Sequence, residues 1–261
     1  MVLSGKPLGA GLGPGLRLWL AVLALGAAAG TAHAQMAPEN PYYSRGNTFG
    51  FLVSYSNDSS HMLLGVSEDR KLLNLGATYG RRLIQNRIVN WQYNLEVLPV
   101  ILESDPVLHS VTTYTLPLPG PPFITTTEPA TACQSGLGTM TFTAGGVVYS
   151  YNYDNTCSRR WTVGEGISPI GLQWNFLPRH KLQPVIVGHG GYVYTSSPIP
   201  TQNAGSFNFT FDFGVGLELY RTHSRSLRLD YRYHHISDDY TTPVNPGIDN
   251  GLFTLTYCFG R

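Results

Sequence analysis

From Phe207 to Leu219 the chain alternates without a break. Phe207, Phe209, Phe211, Phe213, Val215, Leu217 and Leu219 fall on one face, and Asn208, Thr210, Asp212, Gly214, Gly216 and Glu218 on the other. A period of two is that of a β-strand, whose successive side chains point to opposite sides. The run outlasts the roughly 5–6 residues of a usual soluble strand. It suits a tilted strand crossing a bilayer, which needs about 9–11 residues. The same alternation recurs at 47–57, 71–83, 88–102, 162–176, 183–196, 207–221, 226–236 and 249–259, and predicts eight strands.

The connections alternate in length. Short ones fall at 84–87, 178–181 and 222–225, and longer ones at 58–70, 103–161, 197–206 and 237–248. Short turns at one end and long loops at the other are the arrangement of an outer-membrane barrel. The fold expected is all-β, an eight-stranded antiparallel transmembrane barrel of the outer-membrane type. The 103–161 segment is expected to be a long loop insertion carrying a small hairpin pinned by two cysteines.

The N-terminus supports export. Lys6 and Arg17 precede the apolar run "LWLAVLALGAAAG", and "AHA" at 32–34 fits a small-x-small cleavage site. Residues 1–34 are therefore expected to be a signal peptide, with 35–261 forming the barrel in the bacterial outer membrane. The apolar run is too short for a membrane helix, and no later segment has the roughly 18 uninterrupted apolar residues of one.

Composition agrees with this reading. Charged residues are 13% of the 261, and the formal net charge is +1. That balance offers no basic patch for nucleic acid. Cys133 and Cys157 flank a Gly- and Tyr-rich stretch and could close a loop in an oxidising compartment. Cys258 lies in the last strand. No CxxC or HExxH motif is present, and no metal site is expected.

The candidate chemistry lies in "YRYHHISDDYTTPVNPGIDNG", 231–251. Parity splits the histidine pair. His234 joins Arg228, Asp230 and Arg232 on the polar, inward face. His235 and Ser237 continue the outward row of Leu227, Leu229, Tyr231 and Tyr233. In the next strand Asp249 heads the outward row of Gly251, Phe253, Leu255 and Tyr257. The two strands are hairpin neighbours, so His235, Ser237 and Asp249 can converge at the outer rim, on the bilayer side. In a serine hydrolase the histidine takes the serine's proton and the acid orients the imidazole. Asn245 and backbone N–H groups near Gly247 are candidate donors to an oxyanion. The same residue types also make ordinary polar loops, which leaves a hairpin tip without chemistry as the other reading.

The stretch resembles the PagL-type lipid A 3-O-deacylases, whose pattern reads His-x-Ser-Asn and then Asn-x-Gly-x-Glu. His235 and Ser237 match the His and Ser, and Asn245 and Gly247 the Asn and Gly. Asp249 stands at the acid position, and Asp238 stands where the pattern has Asn. Upstream, "GVSEDRKLLNLGATYGRRL" also resembles the family's early strands. The resemblance implies an outer-membrane esterase that uses no cofactor and removes the 3-O-linked hydroxyacyl chain of lipid A, with lipopolysaccharide in the outer leaflet as partner. A non-catalytic barrel acting as adhesin or structural protein, and an esterase or phospholipase for another outer-leaflet lipid, are the alternatives. An extra carboxylate at Asp238 would either repel an oxyanion or bind a cation.

Overall fold

The computed structural model describes residues 41–261; the expected signal peptide lies outside them. The chain forms ten strands: β1 (Asn47–Ser56), β2 (Lys71–Gln85), β3 (Val89–Leu116), β4 (Phe123–Thr127), β5 (Gly136–Ala144), β6 (Val147–Phe176), β7 (Leu182–Thr195), β8 (Phe207–Thr222), β9 (Arg225–Ser237) and β10 (Ile248–Gly260). All the pairings between these strands are antiparallel. The ring runs β1, β2, β3, β6, β7, β8, β9, β10, and closes where β10 pairs with β1. Those eight strands are the barrel expected from the alternation. No helix among the described residues is long and apolar enough to cross a membrane.

The alternation has the physical meaning expected of it. Along β8, Asn208, Thr210, Asp212 and Glu218 are buried, while Phe207, Phe209, Phe211, Phe213, Val215, Leu217 and Leu219 are exposed. The barrel is thus apolar outside and polar inside, as a bilayer demands. Buried charge is made tolerable by pairing. Arg232 donates to both carboxylate oxygens of Glu96 at 3.0 Å and also contacts Asp230 and Asp212. His189 Nδ1 lies 2.9 Å from Asp212. Glu96, His189 and Asp212 come close enough together to resemble a metal cage, but the Arg232 guanidinium already supplies the positive charge there.

The 103–161 segment departs from expectation. Most of it is strand: β3 has 28 residues and β6 has 30, and they stay paired from Val89↔Phe176 to Leu116↔Ser150. Above the barrel rim β4 joins the free edge of β3, and β5 joins that of β6, giving a four-stranded arm in the order β4, β3, β6, β5. The hairpin expected in this region is β5 with β6. Its two-residue turn, Gly145-Gly146, has φ of 58° and 79°, which glycine adopts without steric cost. Cys133 and Cys157 are joined in a disulfide, and Cys258 is a free, buried thiol.

Candidate active site

The site lies at the long-loop end of β9 and β10. His235 and Asp249 are direct cross-strand partners. Nδ1–H of His235 donates to Asp249 Oδ1 across 2.6 Å. A carboxylate can only accept, so Nδ1 carries the proton and Nε2 is left with the lone pair. The Phe211 ring, on the adjoining strand β8, lies 5.3 Å from the imidazole. His235 therefore sits on the outward row, against the phenylalanine face. His234 points the other way, with Nε2 2.7 Å from Thr210 Oγ1 inside the barrel.

Asp249 is fully buried and receives four donors. Oδ1 accepts from His235 and from the Tyr233 hydroxyl at 2.8 Å. Oδ2 accepts from the backbone N–H groups of Leu63 and Leu64, at 2.8 and 2.9 Å. These amides come from the loop between β1 and β2, which arches over the start of β10. Ser60 N–H donates to Asp249 O, Val66 N–H to Pro246 O and Ser67 N–H to Gly247 O. The arch passes so close that a Cβ on Gly65 would stand 2.7 Å from Asp249 N and 2.9 Å from its Oδ1. Tyr233, Leu63, Leu64 and Gly65 were not expected at the site. The only hint in the sequence was an apolar run, "MLLGV", inside an otherwise polar loop.

Ser237 is two residues beyond His235 on the same row and half-buried. Its Oγ is held by Asn245, which lies 3.1 Å away through Oδ1 and 2.8 Å through Nδ2, and by the Asp239 N–H at 3.1 Å. The sequence led us to expect Ser237 against the imidazole; its hydrogen bonds go to Asn245 and Asp239 instead. Gly247 is buried with φ of +59°, and a Cβ there would stand 3.1 Å from His235 Cε1. Glycine thus serves both the backbone turn and the packing of the ring.

Asp238 is held by its own loop. It is fully buried, accepts from the Tyr240 N–H at 3.0 Å, and is bonded by the Thr242 hydroxyl. It caps the turn that follows Ser237, as Asp and Asn commonly do, and Asp239 and Tyr240 there have φ of 51° and 57°.

An antiparallel strand ring that closes on itself, apolar outside and polar inside, defines the class: outer-membrane β-barrels, here with His235, Ser237 and Asp249 on one row at the long-loop end. The sequence profile of the lipid A 3-O-deacylase (PagL) family matches residues 126–257, just over half of the chain. The chain belongs to that family, and its place is the bacterial outer membrane. No curated protein matches it significantly. Among solved structures, Neisserial surface protein A is similar at a TM-score of 0.41 and 10% identity, covering 83% of this chain and 97% of that one. An outer-membrane channel from Pseudomonas putida F1 is similar at a TM-score of 0.29 and 9% identity, covering 86% of this chain and 99% of that one.

Proposed function

We propose that the protein is an outer-leaflet esterase that hydrolyses the 3-O-linked hydroxyacyl chain of lipid A. The observation that carries this reading is the His235–Asp249 hydrogen bond of 2.6 Å, placed on the lipid-facing row that also bears Ser237. Family membership supports lipid A as the substrate class. A site between lipid-facing strands suits a substrate that is itself a membrane lipid, approaching sideways along the phenylalanine row of β8.

The chemistry runs through Nε2 of His235. Ser237 turns from Asn245 toward the imidazole, and its Oγ attacks the ester carbonyl carbon as Nε2 takes the proton. Asp249 holds the ring and stabilises the imidazolium. The oxyanion is met by the Asn245 side-chain amide and backbone N–H groups near Gly247. Collapse breaks the ester C–O bond and the departing sugar 3-oxygen takes the proton from Nε2 to leave as the hydroxyl; water then attacks the acyl-serine carbonyl, giving its proton to Nε2, and the fatty acid leaves as that proton returns to Ser237 Oγ. No cofactor enters these steps.

The test is mass spectrometry of lipid A from a Gram-negative host expressing the protein. The wild type should remove one hydroxyacyl chain. Ser237→Ala and His235→Ala should each lower the rate by about 10³-fold or more while the barrel still inserts. Unchanged lipid A beside a well-inserted wild type would sink the substrate assignment. A serine-directed fluorophosphonate probe would then separate an esterase for another lipid from an inert barrel. The arm favours the non-catalytic alternative. Its sheet carries exposed aromatic side chains such as Tyr114, Phe123 and Phe142, a surface suited to contact outside the membrane, and that reading expects Ser237→Ala to change nothing.

A further inference from the structure

We infer that Tyr233 and the arching Leu63–Leu64 backbone form a positioning shell for Asp249, without which the aspartate does not hold His235 in register; this rests on the esterase reading above. A carboxylate with a single methylene has one torsion between its Cβ and its oxygens. Its direction is set by whatever donors surround it. Here each oxygen receives two: His235 and Tyr233 on Oδ1, Leu63 and Leu64 on Oδ2. The two sets approach from different parts of the chain, one from β9 and one from the β1–β2 loop, and together they fix the carboxylate plane.

The geometry distinguishes Tyr233 from an incidental neighbour. Its backbone pairs with Gly251, one step along the row from the Asp249–His235 pair. Its hydroxyl therefore reaches diagonally, the reach that long aromatic side chains have across a sheet. Its ring is already fixed by Phe211 and Phe213, at 5.9 and 5.2 Å between centroids. Removing only the hydroxyl leaves that packing in place. Tyr233 does not touch the serine, so its contribution to the chemistry runs through Asp249.

The experiment is a double-mutant cycle on the full-length protein in detergent–lipid A mixed micelles. The variants are Tyr233→Phe, Asp249→Ala and the pair. Tyr233→Phe is expected to lower kcat about 5- to 20-fold, with KM unchanged. Added to Asp249→Ala, it should cost nothing further, because its effect passes through the missing carboxylate. An equal loss in both backgrounds, or no loss in the first, overturns the shell. Should the wild type release no fatty acid, the esterase reading fails by itself, and the shell is read by proton NMR. The His235 Nδ1–H resonance should be downfield in the wild type and should shift or broaden in Tyr233→Phe; an identical resonance in both overturns it.

Discussion

Asp249 Oδ1 lies 2.6 Å from Nδ1 of His235, although fourteen residues separate the two in the chain. The pair is made by the register of β9 against β10, which sets the residues directly opposite each other. Both belong by strand parity to the outward row, and both are buried there, where an unpaired polar group would be costly.

The acid should not tolerate lengthening, even though the resembling family carries Glu at this position. The shell around Asp249 is closed by Gly65, whose Cα side has no room to spare near Oδ1. An added methylene pushes the carboxylate about 1.5 Å further, past the amides of Leu63 and Leu64. Asp249→Glu is expected to lower kcat on the order of 10-fold, measured as fatty-acid release from lipid A. A gain of activity would show that the shell does not set the acid's reach.

Gly65 itself should matter to catalysis more than to folding. A Cβ there would meet the backbone of Ile248 and Asp249 at 2.8 and 2.7 Å, and backbone cannot swing aside. Gly65→Ala should lift the arch from Asp249 and cost about 10- to 100-fold in kcat. The variant should still migrate as a folded barrel when unheated in gel electrophoresis.

The polar interior should fail if its central cation is removed. Arg232 faces Glu96, Asp212 and Asp230 at 3.0 to 3.5 Å, and all four are buried. Arg232→Met leaves three carboxylates without that partner, and should destabilise the barrel by about 3–5 kcal/mol. Urea unfolding from vesicles, followed by tryptophan fluorescence, reads the change. Adding Glu96→Gln should recover part of the loss.

The arm should loosen where the disulfide alone holds it. The Cys133–Cys157 disulfide ties the segment before β5 to β6 across a separation of 24 residues, and closing a loop of that size is worth roughly 3 kcal/mol in chain entropy. Residues 129–132 stay bonded to Glu68 and Arg70, so Cys157→Ser should expose 133–136 to limited proteolysis while leaving the barrel folded. Peptide mapping by mass spectrometry identifies the cut.

The barrel strands were legible because strand parity is a local property. Phe209, Phe211 and Phe213 on one side, and Thr210 and Asp212 on the other, declare which face meets lipid without reference to any other strand. The arm was not legible. Glu103, Asp105 and Pro106 break the alternation, and a Thr- and Pro-rich stretch follows, so β3 was expected to stop near residue 102. In the structure Glu103 and Asp105 are buried at the barrel rim. Pro106 falls between Ser104, the last residue paired with β2, and Leu108, the first paired with β4. There β3 is briefly an edge, where proline is tolerated, and the strand continues.

The sequence alone determined the outward row shared by His235, Ser237 and Asp249, since a period of two assigns each residue a side as soon as the strand is recognised. It also separated His234 from His235. Only the tertiary structure decided what each of them touches. It brought the amides of Leu63 and Leu64 onto Asp249 from 186 and 185 residues away, and added the Tyr233 hydroxyl. It also gave Ser237 to Asn245 and turned Asp238 into the cap of its own loop. Parity is fixed by the backbone of one strand, whereas hydrogen-bond partners depend on how loops from distant strands cross above it.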